Sequence, residues 1–173
     1  MRELVEHAGR VAALLRERKE TVAVAESSAG GLITASLLAV PGASTYCLGG
    51  TVLYTRQAWD SLRDFREELL QGYRSATEEN ALIRARLARD RFRASWGIGE
   101  TGAAGPAGNR YGDPAGHACL AVCGPAVAGL RSWERAITLR TASSERVANM
   151  HAFAAAALQL FEECLGASYE ARH

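Results

Sequence analysis

The run Thr21-Val22-Ala23-Val24-Ala25 is short, apolar and β-rich, and it passes directly through Glu26-Ser27-Ser28-Ala29-Gly30-Gly31 into an apolar helical segment from Leu32 to Val40. A buried strand, a glycine turn and a helix in immediate succession commit the chain to α/β packing. The surrounding pattern repeats the alternation. Apolar residues recur at Leu4, Ala8, Val11 and Leu15, a helical stripe closed by the charged Arg16–Glu20 stretch. Pro41-Gly42 ends the second helix.

A strand is expected from about Tyr46 to Tyr54, with Gly49-Gly50 marking a bulge or a close backbone approach. Helices are expected over Leu62–Leu70 and from Ser75-Ala76-Thr77-Glu78, a capping-box pattern, to about Arg93. A strand at Trp96–Gly99 opens into a Gly/Pro-rich loop, Gly102–Gly116. Strands at His117–Cys123 and Leu130–Leu139 read as a hairpin about the Gly124–Gly129 turn. A last helix, Ser144–Leu165, places Val147, Met150, Ala154, Ala157 and Phe161 on one face. The expectation is one domain over residues 1–173, a three-layer α/β/α sandwich on a mixed, mostly parallel sheet.

Charge narrows the partners. Lys and Arg total 20 against 19 Asp and Glu, so no global field favours nucleic acid or membrane. No apolar run reaches the ~20 residues that span a bilayer, and the first residues do not read as a signal peptide. A cytoplasmic address and a small-molecule ligand are expected, with a small symmetric homodimer as the commonest oligomer for such a chain. Lys19 is the only lysine, so one class of catalytic base is nearly absent. Cys47, Cys119, Cys123 and Cys164 have no zinc spacing and read as buried thiols, with Cys119 and Cys123 on one side of a strand. Neither metal nor cofactor is expected.

Glu26–Gly31 is the strongest local site signal. Hydroxyls sit where the backbone N–H groups of a helix start favour anions, and glycine lets a ligand approach the main chain. A serine nucleophile, a phosphate cradle and a plain N-cap all fit. Gly97-Ile98-Gly99-Glu100-Thr101-Gly102 matches the dinucleotide fingerprint in letters, but no helix can follow through Ala103-Ala104-Gly105-Pro106-Ala107-Gly108, so that reading is set aside. Arg84, Arg86, Arg89, Arg91 and Arg93 wrap round one helix and read as a solvated, salt-bridged surface. His117 follows the glycine loop at a strand start, and fits a ligand-facing or a strand-edge role equally.

In order, Val24–Gly31, Val40-Pro41-Gly42-Ala43-Ser44, Gly49–Thr55, Ala76-Thr77-Glu78-Glu79 and Thr101–Pro106 with Pro114-Ala115-Gly116 resemble the blocks of the CinA C-terminal, or nicotinamide-nucleotide amidohydrolase, family. The resemblance implies the same sandwich fold and hydrolysis of nicotinamide mononucleotide to nicotinic acid mononucleotide and ammonia. It implies Ser27 as nucleophile and Tyr54 beside it. It also implies ligand contacts from Glu26, Ser28, Ala29, Gly30 and Gly31, with the loop residues Gly102, Ala104, Gly105 and Pro106 closing the pocket and Arg146 meeting a phosphate.

One departure bears on the chemistry. Where the family has the lysine of Tyr-Ser-Asn-Glu-Ala-Lys, this chain reads Tyr54-Thr55-Arg56-Gln57-Ala58-Trp59. An indole N–H donates but cannot take a proton. The resemblance therefore implies a mononucleotide-binding domain with weak or no deamidase activity, with Trp59 available to stack on a flat ring. The alternatives are an active amidohydrolase using His117 as a substitute base, and a regulatory or partner-binding domain that keeps only the fold.

Overall fold

The computed structural model describes residues 1–61, 74–125 and 132–171. Its elements are α1 (Arg2–Arg18), β1 (Val22–Glu26), α2 (Leu32–Leu38), a 3-10 turn (Ala43–Thr45), β2 (Cys47–Val52), α3 (Arg56–Asp60), α4 (Glu78–Phe92), β3 (Trp96–Ala103), β4 (His117–Gly124), β5 (Trp133–Arg140) and α5 (Arg146–Glu170). The sheet order is β2-β1-β3-β4-β5. β1 pairs in parallel with β2 and β3, while β4 runs antiparallel to both β3 and β5. Only β4 is reversed, so the sheet is mixed with four strands running one way.

Side-chain alternation along the strands divides the interior into two layers. Val22, Val24, Trp96, Ile98, Ala118, Leu120 and Val122 face α1, α2 and α5, in one cluster with Leu4, Ala8, Val11, Leu15, Ile33 and Phe161. The intervening residues face α4: Ala23 and Ala25 meet Ala88, and Cys119, Ala121 and Cys123 meet Ala81 and Ala85. Cys119 and Cys123 thus share a side, and burial pushes the Cys123 thiol up to about 12.

The glycines of the false fingerprint explain how α4 seats. A Cβ on Gly97 would lie 1.9 Å from the Ala85 carbonyl oxygen, and one on Gly99 would lie 2.0 Å from that of Ala81. Gly97 and Gly99 are therefore packing positions, where a helix backbone rests on a strand.

Several boundaries differ from the sequence reading. β3 extends through Ala103, because Gly102 and Ala103 pair with Ala118 and His117. The bulge falls at Leu48, since Val22 pairs with Cys47 and Ala23 already with Gly49. α4 is capped by Thr77, whose Oγ1 accepts from Asn80 N at 3.2 Å, so Ser75 is not its cap. Val147 is 68% exposed; the buried face of α5 runs through Phe153, Ala154, Ala157, Leu158, Phe161 and Cys164. The expected Leu62–Leu70 helix lies outside the described residues, as does most of the Gly124–Gly129 turn.

The chain leaves β1 towards β2 on one side and later returns to β3 on the other. The crevice above the carboxyl ends of β1 and β3 is thus the switch point where open α/β sheets bind ligands.

Candidate functional site

Two buried glutamates shape the turn after β1. Glu26, fully buried, accepts hydrogen bonds from Gly31 N (3.0 Å), Ile33 N (3.1 Å), Thr34 N (2.8 Å) and Thr34 Oγ1 (2.6 Å). It occupies the positive end of α2 with the protein's own carboxylate. Burial raises the Glu26 carboxyl above its ordinary range, and the Thr34 and Ile33 hydrogen bonds only partly oppose this.

Glu100, on β3, is also fully buried and accepts from Ser27 N at 2.8 Å, Ala29 N at 2.9 Å and the Ser28 hydroxyl. Gly30 N donates to Ser27 O at 3.1 Å. The N–H groups of Ala29, Gly30 and Gly31, which sequence reasoning directed at a ligand, therefore all meet acceptors inside the protein. Gly30 itself has φ +69 and rests on Met150, whose Cε would be 2.6 Å from an added Cβ.

This network holds Ser27 at the wall of a cavity of about 450 Å³. Tyr54, Trp59, Asn80, Arg84, Thr101 and Gly102 share that wall with it, as do Arg56, Arg110 and Tyr111. Ser27 is 8% exposed, and among the described residues its hydroxyl has no hydrogen-bond partner.

Trp59 lies in the last turn of the short α3, whose start is capped by Thr55 Oγ1 accepting from Ala58 N at 3.1 Å. Its ring is 6% exposed and carries the Arg84 guanidinium 4.4 Å from its centre. Arg84 is 2% exposed; its Nε donates to Asn80 Oδ1 at 2.9 Å and its Nη1 to Leu53 O at 3.3 Å. Burial lowers its pKa to about 10, which leaves it cationic at neutral pH.

Sequence reasoning placed Arg84 on a solvated surface, and the structure corrects this. Arg86 and Arg89 do make surface ion pairs, with Glu134 and Asp90. Arg84 instead falls on the buried face that Asn80, Ala81, Ala85 and Ala88 define, a spacing that was present in the sequence.

Tyr54 is 58% exposed, and its hydroxyl accepts from Arg146 Nη2 at 2.8 Å. Arg146 Nη1 donates to Gly105 O at 2.6 Å, so one guanidinium ties the tyrosine to the glycine loop. Asn149 holds the same loop from behind, donating to Ala104 O and Ser143 O at 2.8 Å each. Ala104 and Gly105 are thus tied to α5. Of the residues expected to close the pocket, Gly102 is among the described lining of the cavity, whereas Ala104, Gly105, Pro106 and Arg146 are not.

His117 stands elsewhere. Its Nε2 donates to Ala76 O at 2.9 Å, with Asp113 Oδ1 3.9 Å away, and Nδ1 is buried with no partner. It is not among the described residues lining the cavity. Among the described residues no three His, Cys, Asp or Glu side chains gather into a metal-binding group, and no helix is long and apolar enough to cross a membrane.

The mixed sheet, the helices on both its faces and the serine-bearing turn at the switch point define an α/β/α sandwich domain. A model of the CinA C-terminal domain matches residues 5–165, and the chain belongs to that family. A CinA-like protein of Chloroherpeton thalassium is 35% identical over 95% of this chain and 38% of its own length. One from Prochlorococcus marinus is 40% identical over 65% of this chain and 26% of its own. The chain thus spans roughly a quarter to two fifths of these relatives.

Among solved structures, the competence/damage-inducible protein CihA of Agrobacterium tumefaciens superposes with a TM-score of 0.82 at 26% identity, covering 94% of this chain and 95% of its own. A CinA-superfamily protein of Klebsiella pneumoniae gives 0.81 at 23% identity, covering 95% and 98%, a likeness of fold.

Proposed function

We propose that this domain binds a pyridine mononucleotide, with nicotinamide mononucleotide as the reference ligand, in the cavity beside Ser27, and releases little or no ammonia from it. The observation that carries the reading is the Trp59–Arg84 pair on that cavity wall. Trp59 stands at the position where the family resemblance expects a lysine, and neither an indole nor a protonated guanidinium accepts a proton.

Attack by Ser27 on a carboxamide carbon needs its hydroxyl proton removed, and the amide nitrogen must be protonated so that the C–N bond breaks with ammonia as the leaving group. No described side chain stands within hydrogen-bond distance of Ser27 Oγ to do either. Ser28 is the hydroxyl that touches a carboxylate, but that carboxylate also holds two backbone N–H groups and orders the turn. The aromatic wall of Tyr54, Trp59 and Tyr111 suits a flat ring, and the arginines suit an anionic group.

Equilibrium dialysis against nicotinamide mononucleotide, with ammonia assayed in the same cells, tests the reading. Saturable binding without ammonia is expected. Ammonia release at an enzyme-like rate, lost in Ser27→Ala and in His117→Ala, would establish the amidohydrolase alternative instead. Absence of both binding and release would favour a partner-binding role.

A further inference from the structure

The cavity beside Ser27 carries a net sign. Arg56, Arg84 and Arg110 are among its described lining residues, and no aspartate or glutamate is. Arg84 is the cation whose position is set by its surroundings. Its Nε and Nη1 are spent on Asn80 and Leu53, and one face lies against Trp59. Nη2 has no acceptor among the described residues, although the side chain is 2% exposed and the residue lines the cavity. Glu100 attracts this charge from nearby, but its own oxygens are engaged by Ser27, Ser28 and Ala29. A buried guanidinium with an unused N–H edge on a cavity is incomplete without an anionic acceptor.

We propose that Arg84 makes this a carboxylate-reading site, so that the cavity prefers the acid form, nicotinic acid mononucleotide, over the carboxamide form. The inference rests on the mononucleotide reading above and deepens it. A carboxylate offers Nη2 a charge-assisted acceptor and offsets the buried charge. A carboxamide brings no charge, and its NH2 set against Nη2 places donor against donor. Ligand and cation would share the Trp59 wall, which orients a flat ring with its substituent towards Arg84.

Calorimetric titration with the two nucleotides isolates the effect, because they differ only at that group. Their phosphates are identical, so phosphate recognition by Arg84 would move both affinities equally. The wild-type chain is expected to bind the acid about tenfold or more tightly than the amide, and Arg84→Met is expected to bring the two affinities together.

Should Arg84→Met fail to fold, as a thermal melt would reveal, Arg84→Lys keeps the charge without the planar fork and is expected to reduce the preference to a few-fold. Equal affinities in the wild type, tighter binding of the amide, a preference that survives Arg84→Met, or one left undiminished by Arg84→Lys would overturn the inference. Binding of the amide alone leaves the mononucleotide reading standing and sinks only this one. Binding of neither overturns both.

Discussion

The Arg84 guanidinium lies 4.4 Å from the centre of the Trp59 ring, and both side chains line the cavity that Ser27 faces. A cation stacked on an indole here gives the pocket charge and a flat wall, and supplies no proton acceptor. On the proposed reading binding and catalysis are thereby separated: aromatic and cationic side chains that suit a flat anionic ligand line the cavity, while among the described residues none stands within hydrogen-bond distance of the Ser27 hydroxyl.

Trp59→Ala removes that wall. Affinity for nicotinamide mononucleotide is expected to fall about tenfold, the scale of a lost aromatic contact of about 1.4 kcal/mol. Equilibrium dialysis of the variant beside the wild type measures it, and an unchanged affinity would show that the ring does not touch the ligand.

Gly99→Ala would drive a Cβ to within 2.0 Å of the Ala81 carbonyl oxygen and 2.6 Å of Ala85 N. The expected result is a stability loss of about 3 kcal/mol by urea denaturation, as α4 is forced off the sheet. If the glycines served a dinucleotide instead, the variant would keep its stability and lose only nucleotide affinity.

Glu100→Gln leaves one carbonyl oxygen where a carboxylate receives Ser27 N, Ala29 N and the Ser28 hydroxyl, and turns an NH2 towards those donors. A loss of about 2 kcal/mol is expected for the donors left unpaired. Ligand affinity should fall with it, because the same carboxylate positions Ser27. A fully stable variant would show that the turn holds its shape without this anchor.

Asp113 sets an acid-side dependence. The Arg74 hydrogen bond, helped by Asn109 and the nearby His117, holds its carboxyl below the ordinary range. The stability it contributes is present above the unfolded carboxylate pKa and is lost as pH falls through the depressed folded value. Asp113→Asn should therefore flatten part of the decline in melting temperature as pH falls below about 4. Glu26 acts in the opposite sense: its raised carboxyl favours the folded state at low pH, and that contribution fades as pH rises through the folded value. A decline as steep in Asp113→Asn as in the wild type would contradict the assignment.

The helices and strands were legible where periodicity speaks. The stripe Leu4, Ala8, Val11 and Leu15 is the buried face of α1, and the even spacing of Cys119 and Cys123 put both against α4. Chemistry set by distant partners was not legible. Glu100 reads as one letter of a glycine pattern, and its role depends on Ser27, which is 73 positions away. Arg84 was hidden among surface arginines, because counting charges on a helix passed over the small residues that mark its buried face. The five-residue α3 is too short for a periodic signal, and the sequence reading expected no helix there, although Thr55 caps it.

Amide hydrogen exchange with and without nicotinamide mononucleotide tests most directly whether the ligand site is the Ser27 cavity. Slowed exchange is expected in the peptides carrying Ser27, Tyr54–Trp59 and Thr101–Gly102, with little change along α1 or the outer strand β5. Protection confined to other surfaces, or none at saturating nucleotide, would contradict the assignment of the cavity as the ligand site.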